Sequence, residues 1–134
     1  MAYKNKAYVK DQNLILSAAQ TLPNATSADS TNTVMYGGNT AGKIKIVVKA
    51  ASAVAIANGQ YLTIVASYGA TSSPTDTLDK TLLHKGNVSY AAGETICEEI
   101  IPDSLPDTYK YVKLTYTTTA NESTETVNAF VALT

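Results

Sequence analysis

Apolar and polar residues alternate along much of this chain with a period of two, which is typical of β-strands rather than helices. The pattern is clearest over residues 43–50, where Ile44, Ile46 and Val48 share one face and three lysines share the other. We expect this segment to be a strand with one buried and one solvated face. The same alternation predicts three further strands, over Tyr61–Tyr68, Tyr109–Thr117 and Val127–Leu133.

Four shorter or less regular segments raise the expected number of strands to about eight. They are Leu14–Ala18, Val34–Tyr36, Thr81–His84 and Glu94–Ile101. In the last of these, adjacent Ile100 and Ile101 break the alternation, which indicates a β-bulge or an edge strand. The alanine-rich segment 50–57 is compatible with a helical turn, or with a strand that ends in a hairpin at Asn58–Gly59.

Turn-forming residues separate these segments, and no helical periodicity persists over a dozen residues. The sequence therefore predicts an all-β fold, a jelly-roll-type antiparallel β-sandwich of about eight strands. An immunoglobulin-like sandwich is the alternative, although the chain has neither the tryptophan nor the cysteine pair of antibody domains. We expect an N-terminal arm over residues 1–13 and one sandwich domain over residues 14–134.

The chain of 134 residues is long enough for one domain with its own core. Its single cysteine, Cys97, cannot form an intramolecular disulfide, and its apolar neighbours Ile96 and Ile100 indicate a reduced, buried thiol. No apolar run resembles a signal peptide or reaches the length that spans a membrane. We therefore expect synthesis in the cytoplasm without secretion, and no membrane partner.

Charge is distributed unevenly along the chain. Residues 1–50 hold six lysines against two acids, which gives +4, and residues 51–134 hold four lysines against nine acids, which gives −5. These opposite charges can complement each other or a partner. All ten basic residues are lysines, so the planar guanidinium that recognises phosphates and bases is missing. We therefore expect no nucleic-acid partner.

The residues that carry catalysis or bind metals are sparse. His84 is the only histidine, and no Gly-x-Ser-x-Gly motif, phosphate-binding glycine loop or calcium-loop spacing occurs. A pair of Cys97 with His84 across strands is geometrically conceivable, but the more ordinary reading is a core thiol and a polar residue at a strand end. We expect no enzymatic activity and no cofactor or metal.

Two groups of residues suggest contacts with other chains. The first group combines cations and aromatic rings near the N-terminus, and comprises Tyr3, Lys4, Lys6, Tyr8 and Lys10. The second comes from the nine tyrosines of the chain, of which Tyr61, Tyr109 and Tyr111 fall on faces opposite the expected core. Tyrosine is favoured at protein interfaces, although it also fills ordinary strands.

The C-terminal part of the chain resembles a known family. The segment Tyr109–Tyr116, followed after a threonine-rich turn by Val127–Leu133, looks like the closing hairpin of the jelly-roll capsid cement proteins found in a Bordetella phage and its relatives. The similarity extends in matching order through Lys43–Val48, Tyr61–Tyr68 and the loop Ser72–Leu78, and covers about two-thirds of the chain.

This resemblance implies a small protein on the outer surface of a phage head, which bridges neighbouring subunits of the major capsid protein and stabilises the shell. It also implies a homo-oligomer, a dimer or a trimer, located in the virion after synthesis in the host cytoplasm. The first forty residues match nothing in that family. The alternative function is a carbohydrate-binding jelly-roll module, because exposed tyrosines can stack on sugar rings.

Overall fold

The computed structural model describes residues 14–37 and 43–133, which form eleven β-strands and no α-helix. The strands are Ile15–Thr21 (β1), Ser27–Asp29 (β2), Val34–Met35 (β3), Ile44–Ala50 (β4), Val54–Ile56 (β5), Leu62–Gly69 (β6), Thr77–Lys85 (β7), Val88–Tyr90 (β8), Thr95–Ile100 (β9), Tyr111–Thr118 (β10) and Thr126–Leu133 (β11). Each of the eight expected strands is present. The three additional ones, β2, β5 and β8, are only three residues long, too short to show alternation.

The strands form two antiparallel sheets packed face to face, with strand orders β1-β11-β4-β9 and β2-β10-β6-β7. Strand β3 lies beside β10 beyond the end of β2, and β5 pairs with β8 in a separate ribbon. Apart from these short additions, the chain crosses to the opposite sheet after every strand except β6, which is joined to β7 as a hairpin. This interleaving confirms the jelly-roll type of sandwich.

The expectation that the last two strands form a hairpin is wrong. Leu114 of β10 lies opposite Ala66 of β6, whereas Ala129 of β11 lies opposite Val48 of β4. Both strands alternate cleanly because each is central in its own sheet and buries one row of side chains in the shared core. The connection between β10 and β11 crosses from one sheet to the other. The similar alternation of these two consecutive strands therefore did not indicate that they are hydrogen-bonded to each other.

The core lies between the two sheets and takes one row of side chains from each. In β10, for example, Val112, Leu114 and Tyr116 are fully buried while the intervening residues are half-buried. The Tyr116 hydroxyl crosses the core to Ser17 of β1, with 2.8 Å between the two oxygens. A buried polar pair of this kind links the two sheets and fixes their relative position.

The outer face of the first sheet also carries a buried apolar cluster. Phe130 lies between Val47 and Ile15 in cross-strand register, and Ala132 completes the group. Strand β4 is therefore not solvated on one whole face as expected, because Val47 is fully buried beside the half-buried Lys45 and Lys49. Because apolar side chains pack together on this outer face as well, β4 loses the simple alternation of a half-exposed strand.

The two segments with an irregular sequence pattern, residues 94–101 and 50–57, both contain strands. Strand β9 lies at a sheet edge, and its register against β4 shifts after Val48, so an edge and an irregularity occur together. Segment 50–57 contains the short strand β5 rather than a helical turn. Gly59 then turns the chain with a φ of 84°, a conformation that glycine adopts without strain.

The hydrogen bond between Tyr116 and Ser17 leads to a testable prediction for stability. We expect Tyr116→Phe and Ser17→Ala each to lower the free energy of unfolding by about 1–3 kcal/mol, because each leaves a buried hydroxyl without this partner. The double variant should lose less than the sum of the two, since neither hydroxyl remains. Urea unfolding followed by circular dichroism measures the free energy of unfolding of the unmodified protein, the two single variants and the double variant. Strictly additive losses would contradict the assigned coupling.

Candidate functional site

The three predicted interface tyrosines that the structure describes do not all lie together. Tyr3, Lys4, Lys6, Tyr8 and Lys10 lie outside the described residues. Tyr61 immediately precedes β6, whereas Tyr111 lies opposite Gly69 at the other end of that strand. At roughly 3.3 Å per residue, the two ends of β6 are about 23 Å apart. The structure therefore separates Tyr61 from the pair Tyr109 and Tyr111.

At the first end, Tyr61 stacks on His84. The two rings are nearly parallel, at an interplanar angle of 5°, and their centres are 4.7 Å apart. His84 Nδ1 also lies 2.8 Å from Thr63 Oγ1, which orients the imidazole across the outer face of the sheet. Tyr61 remains 44% exposed. This histidine thus belongs to an exposed aromatic platform and does not contact Cys97.

At the other end, Tyr111 and Met35 form an exposed apolar pair. They lie directly opposite each other on β10 and β3, and Met35 is 54% exposed. Tyr111 is half-buried, with Gly69 on its other side. Because their neighbours on this outer face are mainly threonine, serine and charged residues, the pair is a candidate contact surface for another protein.

Four of the other tyrosines belong to the core: Tyr36, Tyr68, Tyr90 and Tyr116 are buried. Tyr36 packs edge to face on Tyr68 with ring centres 5.9 Å apart, and its hydroxyl donates to the carbonyl oxygen of Tyr109. Burial raises the pKa of Tyr36 to about 12 and also raises the pKa values of Tyr68, Tyr90 and Tyr116. The high tyrosine content is therefore only partly available for interfaces.

The third predicted tyrosine, Tyr109, is half-buried and packs against the core rather than on the opposite face as expected. It also borders a groove that the sequence did not reveal. The β6–β7 loop, residues 70–76, forms two adjoining depressions of about 350 and 300 Å³. Both include Ser73 and Pro74, so we call them together the Pro74 groove. The first depression is lined by Ala70, Thr71, Ser73, Pro74, Thr75, Asp76 and Tyr109, and the second by Asp29, Ser30, Thr33, Ser72, Ser73, Pro74 and Lys113.

Gly69 determines where this loop lies. A Cβ atom on Gly69 would come within 2.5 Å of the Cβ and Cγ atoms of Pro74, a distance that packed carbon atoms do not tolerate. The missing side chain lets Pro74 rest directly on the end of β6. The Gly69–Pro74 contact thus places the serines and threonines of the loop beside the outer face of the sheet.

Charged side chains pair across neighbouring strands and across the edge of the sandwich. Lys45 Nζ lies 2.5 Å from Glu98, Lys80 Nζ lies 3.4 Å from Glu99, and Lys113 Nζ lies 3.2 Å from Asp29. The first pair joins a lysine of the lysine-rich half to an acid of the acidic half, whereas the third joins an acid of the lysine-rich half to a lysine of the acidic half. The Lys45–Glu98 pair thus compensates part of the charge asymmetry within the chain, and the exposed Lys80–Glu99 pair contributes little to stability.

The Cys97 thiol is unsuited to act as a nucleophile. Burial raises its pKa to about 12, and the negative charge of Glu99 adds to the shift, so the thiol is protonated at neutral pH. Within residues 14–37 and 43–133, no three histidine, cysteine or carboxylate side chains form a group that would hold a metal ion. The described residues contain no helix that is long and apolar enough to cross a membrane.

The β10–β11 connection contains a carboxyl pair that the sequence pattern did not indicate. Glu122 is buried next to Glu125, whose Oε2 accepts a hydrogen bond of 2.8 Å from the backbone of Ala55 while its Oε1 is buried without a partner among the described residues. Burial raises the pKa of Glu122 to about 7, and the hydrogen bond and charge of Glu125 add to the shift. The only sequence signal for this pair was the spacing of three residues between the two glutamates across a turn.

No protein-family model matches this sequence, and no curated protein shows significant similarity to it. What bears on function is therefore the jelly-roll architecture and the chemistry of its surface.

The carboxyl pair predicts a pH dependence of stability. The pKa of Glu122 is higher in the folded chain than the usual value of about 4.3 in an unfolded one, so the folded state binds more protons between these two pH values. The free energy of unfolding should therefore fall as the pH rises from about 4.5 through 7. Chemical denaturation at a series of pH values measures this slope.

Glu122→Gln should flatten that pH dependence, because glutamine keeps the hydrogen-bonding side chain and does not titrate. Asp103→Asn is the matched control, since Asp103 is exposed in the connection after β9. An unchanged slope in Glu122→Gln, or an equal flattening in Asp103→Asn, would contradict the assignment.

Proposed function

We propose that this protein is a capsid decoration, or cement, protein, which binds the outer surface of a phage head and bridges subunits of the major capsid protein. The single observation that carries the proposal is the jelly-roll strand order, because it is the architecture that the resemblance to phage cement proteins implies. Jelly rolls recur in viral capsid proteins, although the fold alone does not establish a function.

The architecture suits a clamp that must resist deformation. Its two sheets share one hydrophobic core, to which the central strands β4, β6, β10 and β11 contribute most of the buried side chains, and the Tyr116–Ser17 hydrogen bond connects the sheets. Close-packed interiors of this kind are stiff and transmit strain rather than absorb it. A stiff body that contacts two capsid subunits opposes their separation when packed DNA presses outward.

Surface groups of suitable chemistry are present at both ends of the second sheet. The Met35–Tyr111 pair and the Tyr61–His84 platform expose apolar and aromatic area within a polar surrounding, as interface contacts commonly do. In this proposal the N-terminal residues Tyr3, Lys4, Lys6, Tyr8 and Lys10 add the main grip on the capsid. The protein acts as a homo-oligomer, a dimer or a trimer, which increases its avidity for a symmetric shell.

The proposal predicts direct binding to capsids. Purified protein mixed with undecorated heads should cosediment with them and raise the temperature at which the heads release their DNA. Cryo-electron microscopy of the mixture should show added density on the outer surface. Absence of both cosedimentation and added density, at protein concentrations well above that of the capsid subunits, would refute the function.

Two variants separate the proposed contacts. Deleting residues 1–12 should abolish head binding and leave the β-sheet circular dichroism spectrum unchanged, because the described fold begins after them. Tyr111→Ser should weaken binding about 30-fold, the effect of losing an interface residue worth about 2 kcal/mol. Thr81→Ser, an exposed position on β7, is the control. Full binding by the deletion variant would refute the role of the arm.

A further inference from the structure

We propose that the Pro74 groove is a binding site for a neutral oligosaccharide. This site is separate from the Tyr61–His84 platform and from the N-terminal residues, and it would be present whether or not the protein binds a phage head.

The shape of the groove fits a chain of sugar units. Its two depressions, of about 350 and 300 Å³, are at the lower end of the range of roughly 300–1,000 Å³ for small-molecule sites. They share the wall formed by Ser73 and Pro74, so one extended ligand can occupy both. The contact of Pro74 with Gly69 holds this wall in place, so the two depressions keep their positions relative to each other.

The hydroxyl groups of the loop are available to a ligand. The side chains of Thr71, Ser72, Ser73 and Thr75 line the groove, and none of them makes a hydrogen bond to another side chain or backbone group of the described chain. A hydroxyl both donates and accepts hydrogen bonds, and so do the hydroxyls of a sugar. Four such groups on one loop therefore match a polyhydroxylated ligand.

Two carboxylates flank this loop and are held in place. Asp76 accepts a hydrogen bond of 3.4 Å from the Tyr109 hydroxyl at its Oδ2 atom, and no described residue donates to its Oδ1. In the second depression, Asp29 accepts from Thr115 at 2.9 Å and from Lys113 at 3.2 Å. Carboxylate acceptors form stronger hydrogen bonds with hydroxyl donors than neutral groups do. Each depression thus contains an oriented acceptor for a sugar hydroxyl.

Apolar surface is present between these polar groups. Tyr109 is half-buried against the core, and its backbone carbonyl accepts the hydrogen bond from Tyr36, so the residue is anchored from both its ring and its backbone. Its ring and that of Pro74 line the same depression. The C–H face of a pyranose ring can pack on such surface while its hydroxyls reach the surrounding oxygens.

The charges select a neutral ligand over an anionic one. The groove has two carboxylates and one lysine, and that lysine is already paired with Asp29. A phosphate, sulfate or sialic acid group would therefore meet uncompensated negative charge, which lowers its affinity. A divalent cation is also a poor candidate, because the described residues contain no group of three suitable ligands.

The experiment is a glycan array that carries neutral oligosaccharides of glucose, mannose, galactose and N-acetylglucosamine beside sulfated and sialylated counterparts. We expect binding to at least one neutral series and weaker binding to its acidic forms. The best neutral oligosaccharide is then titrated into 15N-labelled protein, where the amide signals of residues 70–76 should shift. Absence of binding to every neutral series, stronger binding to acidic forms, or shifts confined to other residues would overturn the proposal.

Variants test the roles of individual residues by calorimetric titration with the same oligosaccharide. Asp76→Asn should weaken binding at least tenfold, because it removes the charged acceptor and keeps the shape of the side chain. Gly69→Ala should weaken it similarly by displacing Pro74, although no lining side chain is changed. Tyr61→Ser, at the opposite end of β6, should bind as the unmodified protein does.

Thermal unfolding of each variant separates loss of the site from loss of the fold. The proposal fails if folded Asp76→Asn and Gly69→Ala proteins both bind with unchanged affinity. It also fails if Tyr61→Ser alone loses binding.

Discussion

Burial of the inner faces of two sheets against each other is the interaction on which this structure depends. Among the described residues the inner rows pack mainly on each other, with Val54 and Ile56 of the β5–β8 ribbon in the same core. The chain also crosses between sheets after almost every major strand. Each sheet is therefore completed only when the last two strands take their places, β10 between β2 and β6 and β11 between β1 and β4. Such non-local pairing is typical of folds that form slowly and cooperatively.

This constraint also explains where functional groups can lie. The inner rows are committed to packing, and part of the outer face of the first sheet is occupied by Val47 and Phe130. The outer face of the second sheet and the loops at its ends are freer to vary without loss of the fold. The Tyr61–His84 platform, the Met35–Tyr111 pair and the Pro74 groove all occur there.

Period-two alternation was sufficient to predict the fold class and the four central strands, because each central strand must bury alternate side chains, and the turn-forming residues between segments indicated four more. It was not sufficient to predict pairing, as the supposed hairpin of β10 and β11 illustrates: alternation reports burial and says nothing about which strand lies beside it. Strand β2 was missed because three residues cannot display a period. The groove was missed for a related reason, since Asp29, Lys113 and Pro74 are distant in sequence and meet only through the pairing of β2 with β10 and the Gly69–Pro74 contact.

The adjacency of β1 and β11 has a mechanical consequence. Ile15 pairs with Phe130 and Thr21 with Thr126, so residues 14 and 133 leave the sandwich at the same end of the same sheet. A force that pulls these two points apart would load the hydrogen bonds of this strand pair one after another, as in unzipping, instead of all at once, as in shear. Tension applied through the chain before Ile15 would accordingly peel β1 from the sheet edge at low force, while the central strands stay intact.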